Sequence, residues 1–412
     1  MMVFSTTGRL GNTARLACLL GGLYVAAAPA LEYRQQELIL DGGARQRVIP
    51  PSGYTIELLT AKLDGPRLLT FAANGDLFIG SKSGKVYRLA PPYTHPEVLI
   101  TLNNYPHSVA LRDGELLIAQ TDGLYRAPYR PGQTAIPPET LTLLAALPGD
   151  GGHSSRTVRI GPDGRVYVSL GISQNCSDQY LGADYPFDQR RGGVLVLRED
   201  GAPPRFEPYA SGLRNPVGFD WQPATGVMYA SNNGPDHHGY EQPPEYFSRL
   251  DAGSFHGMPW FQYDGARLRR DECVKSRPPQ PESDVAVPVA TFPARNAPMA
   301  VAFVPPGALD AQFTGDAVVA LHGSWGTRPS GGAFGNPATR RPPKLVRVRF
   351  RDGVAQGVED LVSGFQLENG ERWARPVGVA FGPDGALYFT SDGGATEGLF
   401  RLRRISPAAA TK

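Results

Sequence analysis

Cysteine is nearly missing: the chain has 3 in 412 residues. That excludes a disulfide-rich scaffold and any centre built on cysteine ligands alone. Charge of one sign is also lacking. Lys and Arg total 41 against 39 Asp and Glu, a net charge of +2, and no long basic run occurs. Nothing in that balance supplies the electrostatic footprint of a nucleic-acid partner. There is no sustained helical period and no dinucleotide glycine motif after a strand, which argues against a nicotinamide fold. What the chain has in quantity is glycine (49) and proline (39), with 41% hydrophobic residues. Frequent turns between short apolar strands require such a composition.

The one long apolar stretch is "LACLLGGLYVAAA", which follows Arg9 and Arg15 and leads to Ala28-Pro29-Ala30. A basic start, a short apolar core and an Ala-x-Ala site make residues 1–30 a signal peptide. The run is too short for a membrane span. The expectation is an exported, periplasmic or secreted protein with no integral span in the mature chain. Cys176 and Cys273 then remain, and in an oxidising compartment such a pair tends to bridge.

A short unit recurs along the rest. "AANGDLFIGS", "LRDGELLIAQ", "GPDGRVYVSL", "PATGVMYAS", "FTGDAVVAL" and "GPDGALYFTS" each join a glycine-centred turn to an apolar strand. The turn glycines are Gly75, Gly114, Gly164, Gly226, Gly315 and Gly385. A strand precedes each turn and another commonly follows, as in "GKVYRL" and "GLFRLR". Six such units predict an all-β chain, a six-bladed β-propeller with loop insertions, forming one domain over residues 31–412. The largest insertions are expected around 172–190 and 236–290.

In a propeller, the segments leading into the innermost strands converge on one channel mouth. Here they carry Arg67, His107, His153, Arg156, Arg214, Asn215, Asn296 and Arg375. Arginine forks match carboxylate and carbonyl oxygens, and a neutral imidazole is a suitable general base. The glycines before His153 leave room for a close approach.

Four segments, "GGHSSRTVRIGPDGRVYVSLG", "GLRNPVGFDWQPATGVMYASNNGPD", "ALHGSW…KLVRVRF" and "RPVGVAFGPDGALYFTSD", resemble the soluble PQQ-dependent sugar dehydrogenases of the glucose/sorbosone type. The likeness covers nearly the whole mature chain, in order. It implies oxidation of an aldose or sorbosone-type sugar, with pyrroloquinoline quinone (PQQ) over the channel and Ca²⁺ beside it. It makes His153 the general base and assigns Arg214, Asn215, Lys344 and Arg375 to the quinone. His107, at the second blade where glucose enzymes offer a glutamine, is a further expected cofactor contact. The carbonyls of Gly234 and Pro235 are the implied calcium ligands. The chain departs from the glucose enzymes at Gly152, where they carry an aspartate, and at Val377, where they carry a second arginine. Either Asp150, two residues further away, supplies the missing carboxylate, or nothing does.

The partners implied are a small sugar and an external electron acceptor. Two other readings stay open. A propeller lactonase would need acidic and Asn side chains at the mouth, and a non-catalytic carbohydrate- or protein-binding propeller would use the insertions.

Overall fold

The computed structural model describes residues 1–2, 30–149, 151–182, 185, 189–201 and 203–405. The signal-peptide reading and Asp150 fall outside those residues. Residues from Tyr33 onward form one compact unit.

That unit is a six-bladed β-propeller. Blade I runs Pro66–Phe71, Leu77–Ser81, Lys85–Leu89 and Glu97–Thr101. Blade II runs Ser108–Arg112, Glu115–Gln120, Gly123–Pro128 and Thr142–Ala146. Blade III runs Arg156–Ile160, Val166–Leu170, Gly193–Arg198 and Arg205–Ser211, with Ser254–Phe255 added in parallel at its edge. Blade IV runs Phe219–Trp221, Met228–Asn232, Glu245–Leu250 and Ala290–Phe292. Blade V runs Pro298–Phe303, Ala317–Leu321, Lys344–Arg351 and Val354–Val362. Blade VI runs Pro376–Phe381, Leu387–Ser391 and Gly398–Arg404. Its fourth strand is Tyr54–Thr60, from the other end of the chain, which closes the ring.

The sequence explains the blades. Second strands such as "LFIGS", "VYVSL" and "LYFTS" are buried at every position, because neighbouring blades cover both faces. Outer strands such as "EVLIT" are half exposed. The "GPDG" turns are held by their own side chains. Asp163 Oδ2 accepts from Tyr167 Oη at 2.8 Å, and Asp384 Oδ2 from Tyr388 Oη at 2.9 Å. Gly164 and Gly385 sit at φ 74° and 72°, where a side chain is strained.

The insertions lie where glycine spacing places them. Residues 171–192 link the second and third strands of blade III. The stretch after Asn232 decorates blade IV and includes a ribbon, Phe261–Tyr263 with Leu268–Arg270. A disulfide between Cys176 and Cys273, 97 residues apart, ties the two insertions together.

Candidate active site

The segments leading into the first strands do meet. Arg375 Nη2 donates to His322 Nδ1 at 2.7 Å, and His322 Nε2 lies 2.5 Å from Asp392 Oδ1. Asp392 Oδ2 takes Arg67 Nη1 and Lys82 Nζ, each at 2.6 Å. Arg67 Nη2 lies 3.5 Å from His107 Nε2, and His107 Nδ1 bonds the Arg156 carbonyl at 3.1 Å. Arg156 Nη1 donates to the His153 carbonyl at 2.7 Å. One polar chain therefore links blades VI, V, I, II and III around the channel. Burial raises the Asp392 carboxyl, but Arg67, His322 and Lys82 outweigh it and hold it well below the usual carboxylate range. Because His322 Nδ1 accepts from a guanidinium, its proton is on Nε2 and the ring is neutral.

His153 is placed with one nitrogen committed. Its Nδ1 lies 2.6 Å from the Ile172 carbonyl, which can only accept, so Nδ1 carries the proton and Nε2 the lone pair. Its own carbonyl accepts from Arg156 and, at 3.0 Å, from Arg191 Nη2. Burial, then the charges of Arg214, Arg191 and Arg156, push the imidazole pKa down to about 4. At neutral pH the ring is an unprotonated base.

Two glycines make this packing possible. A Cβ on Gly171 would stand 2.6 Å from both Asn215 Oδ1 and His153 Cβ, so Gly171 is what lets these two side chains flank the same backbone. Gly152, at φ 56°, has the Ser173 carbonyl 1.7 Å from where a Cβ would be. The aspartate that precedes the histidine in glucose enzymes has no room here.

Arg214 lies beside Asn215. Its Nε and Nη2 donate to the Asn175 carbonyl (3.0 Å) and Oδ1 (2.8 Å), and Asp236 Oδ2 is 3.7 Å away. Asn215 N–H donates to Asn232 Oδ1 at 2.9 Å.

Four expected residues, His107, Lys344, Gly234 and Pro235, are not placed in the way the resemblance implied. His107 is fully buried with both ring nitrogens used, Nδ1 on the Arg156 carbonyl and Nε2 facing Arg67, so it spaces the blades and does not meet a ligand. Lys344 Nζ turns outward to Asp360 at 2.8 and 3.2 Å, drawn by a carboxylate on the outermost strand of blade V. The Pro235 carbonyl, an expected calcium ligand, accepts instead from the buried Arg295 guanidinium, and Gly234 N–H donates to Glu245. A calcium ion does not fit at Pro235 while that guanidinium is there.

Comparison with known proteins follows the same line. The TrAA12-like family profile matches residues 49–243 and 279–404. This chain belongs to the TrAA12-like family. Membership makes it an oxidoreductase. A calcium structure of Trichoderma reesei Carbohydrate-Active Enzymes Family AA12 superposes with TM-score 0.72 at 17% identity, over 87% of this chain and 97% of that one. The holo PQQ domain of pyranose dehydrogenase from Coprinopsis cinerea gives 0.66 at 20% identity, over 88% and 98%. The soluble aldose sugar dehydrogenase of Escherichia coli, in its apo form, gives 0.61 at 14%, over 85% and 100%. An uncharacterised protein of Borreliella burgdorferi is 23% identical over 356 residues, 84% of this chain and 88% of its own length.

In this TrAA12-like chain two arginines that sequence reasoning missed, Arg340 and Arg372, stand beside the expected Arg375. A cleft of about 650 Å³ is lined by Trp325, Arg340, Arg372 and Arg375. Burial, then Arg375 and Arg340, lower the Arg372 pKa to about 10. The buried Nε atoms of Arg340 and Arg372 have no partner, and neither do both polar atoms of buried Asn296. The three guanidinium groups outnumber Glu371, the one carboxylate of the cleft, and leave it net positive. The only sequence signal for Arg340 and Arg372 was the arginines of two loops, 340–341 and 372–375. A second hollow of about 450 Å³ lies at the far end of the first strands. Its Arg159 is already spent on Asp220 (3.3 Å) and the Val301 carbonyl (3.0 Å).

Proposed function

We propose that this chain oxidises a small sugar with pyrroloquinoline quinone as resident cofactor and His153 as general base. The single observation that carries the reading is the His153 ring. Its Nδ1 proton is fixed on a carbonyl, its Nε2 keeps the lone pair, and the side chain flanks Gly171 opposite Asn215, within the field of Arg214.

The residues present fit the quinone. Its carboxylates match the Arg340, Arg372 and Arg375 guanidinium groups that line the cleft. Trp325, half exposed at the same cleft, offers an aromatic face to a flat ring. When bound, PQQ supplies a two-electron acceptor for the hydrogen of a sugar carbinol. The chain's own part is to bind, orient and move a proton. His153 Nε2 takes the hydroxyl proton of the sugar, the Ile172 carbonyl keeps the ring in that tautomer, and Arg156 and Arg191 fix its backbone. Turnover then requires an external electron acceptor.

Reconstitution with PQQ and a panel of aldoses and sorbosone-type sugars, read by dye reduction, tests this. Dye reduction that needs both quinone and sugar is expected. Quinone-loaded protein that reduces no dye with any sugar would overturn the reading. Hydrolysis of lactones without quinone would point to the lactonase instead. The carboxylates near the mouth favour the dehydrogenase reading, since Asp392 is held by Arg67 and Lys82 and Asp236 by Arg295.

Export is part of the proposal. It rests on the N-terminal sequence and on the disulfide, which suits an oxidising compartment. Among the described residues no helix is long and apolar enough to cross a membrane. Intact mass of the exported protein should show loss of residues 1–30 and no free thiol at Cys176 or Cys273.

A further inference from the structure

We propose that Arg295 is a built-in cation of this site, so that the chain binds its quinone without calcium. The inference rests on the PQQ reading above. Arg295 precedes the first strand of blade V and has a left-handed backbone, φ 70°, which is unusual for a residue with a long side chain. That conformation sends the side chain into the loop after blade IV's second strand. There every guanidinium N–H is used. Nε donates to the Gly239 carbonyl at 2.9 Å, and Nη2 to the Gly239 and Gln242 carbonyls at 2.6 and 2.7 Å. Nη1 donates to the Pro235 carbonyl and faces Asp236 Oδ1 at 3.3 Å.

Backbone carbonyls with one carboxylate are what a hard divalent ion takes as ligands. Here one side chain has taken them all, and a guanidinium and a calcium ion cannot share them. The charge reaches the site as well. Asp236 lies between Arg295 and Arg214, the latter at 3.7 Å, and Arg214 adjoins Asn215. A second carboxylate, Glu245, packs beneath on Gly234 N–H. With its donors spent on protein, Arg295 acts by charge and by rigidifying residues 235–242, not as a Lewis acid.

The test compares wild type with Arg295→Gly, each stripped with a chelator. PQQ binding is followed by quenching of tryptophan fluorescence, and calcium binding by calorimetry with CaCl₂ alone. Wild type should bind quinone equally in chelator and in calcium, within about twofold, and show no stoichiometric calcium uptake. The variant, with its carbonyl cradle opened, should bind quinone at least about tenfold more weakly in chelator. It should take up one calcium ion, melt higher with it, and recover quinone affinity. Wild type that binds PQQ about tenfold or more tighter with calcium, or that binds one calcium per chain, overturns the inference. Should Arg295→Gly not fold, the wild-type measurements alone decide. Quinone that binds in neither medium sinks the functional reading, while the calcium calorimetry still reads the cradle.

Discussion

A histidine that can act as a base at neutral pH must be unprotonated there and must have a free lone pair. His153 meets both conditions, because burial and the cations around it lower its pKa to about 4 while Nδ1–H is tied to Ile172. Turnover of loaded enzyme should therefore rise with pH through about 4 and stay flat across neutrality, as steady-state rates against pH will show. A rise centred near the ordinary value of about 6.5 would mean that neither burial nor the cations act on the base. Arg340 offers a second prediction at this scale. Arg340→Ala should weaken PQQ binding by about 1.5–3 kcal/mol, the size of a charge-assisted hydrogen bond, and leave the melting temperature unchanged. A lower melting temperature with unaltered binding would make Arg340 structural. His153, Arg214 and Asn215 were legible in the sequence because they ride on the repeat. Arg295 was not, because its role depends on a loop that precedes it by more than fifty residues and on a left-handed backbone that no composition announces.

Among the elements, the turn after the second strand of blade III sets the site most tightly. Gly171→Ala should fold, since the change adds one methyl, yet its Cβ would press on Asn215 and His153. A displacement on the order of 1 Å lowers a rate by about 10²-fold, so turnover should fall by that order while circular dichroism stays the same. Wild-type turnover in that variant would show that the close approach does not matter. The Cys176–Cys273 bridge joins the two insertions that hold Asn175 and the His237–His238–Asp271 cluster, in which both rings lie 3.0–3.1 Å from the Asp271 carboxylate. Replacing both cysteines by serine should cost roughly 2–5 kcal/mol in denaturant unfolding. The turn glycines and second strands were readable because each blade repeats them. The ribbon Phe261–Tyr263 with Leu268–Arg270 was not, since it lies within an insertion that matches no repeat.

For the whole molecule, six repeated turns were enough to expect six blades, but not to find the strand that closes them. Tyr54–Thr60 follows a turn at Ser52-Gly53 but belongs to none of the six repeated units, and only its register against Gly398–Arg404 reveals its place. Acid should unfold this propeller. Burial lowers His153, His256 and His322 to about 4, and burial with the Arg67 charge holds His107 well below its ordinary value. Between about 6.5 and 4 the unfolded chain thus binds more protons at these four groups. Glu245 and Asp316, raised by burial to about 7 and about 6, work the other way. Four groups outweigh two, so melting temperature should fall as pH drops below 6.5; a flat profile from 6.5 to 4 would contradict those shifts. The most direct measurement is the turnover of His153→Gln after quinone loading has been verified by absorbance. The account predicts a folded, fully loaded variant slower by roughly 10²–10⁴-fold, the usual contribution of a positioned base. Wild-type turnover in that loaded variant would remove His153 from the reaction.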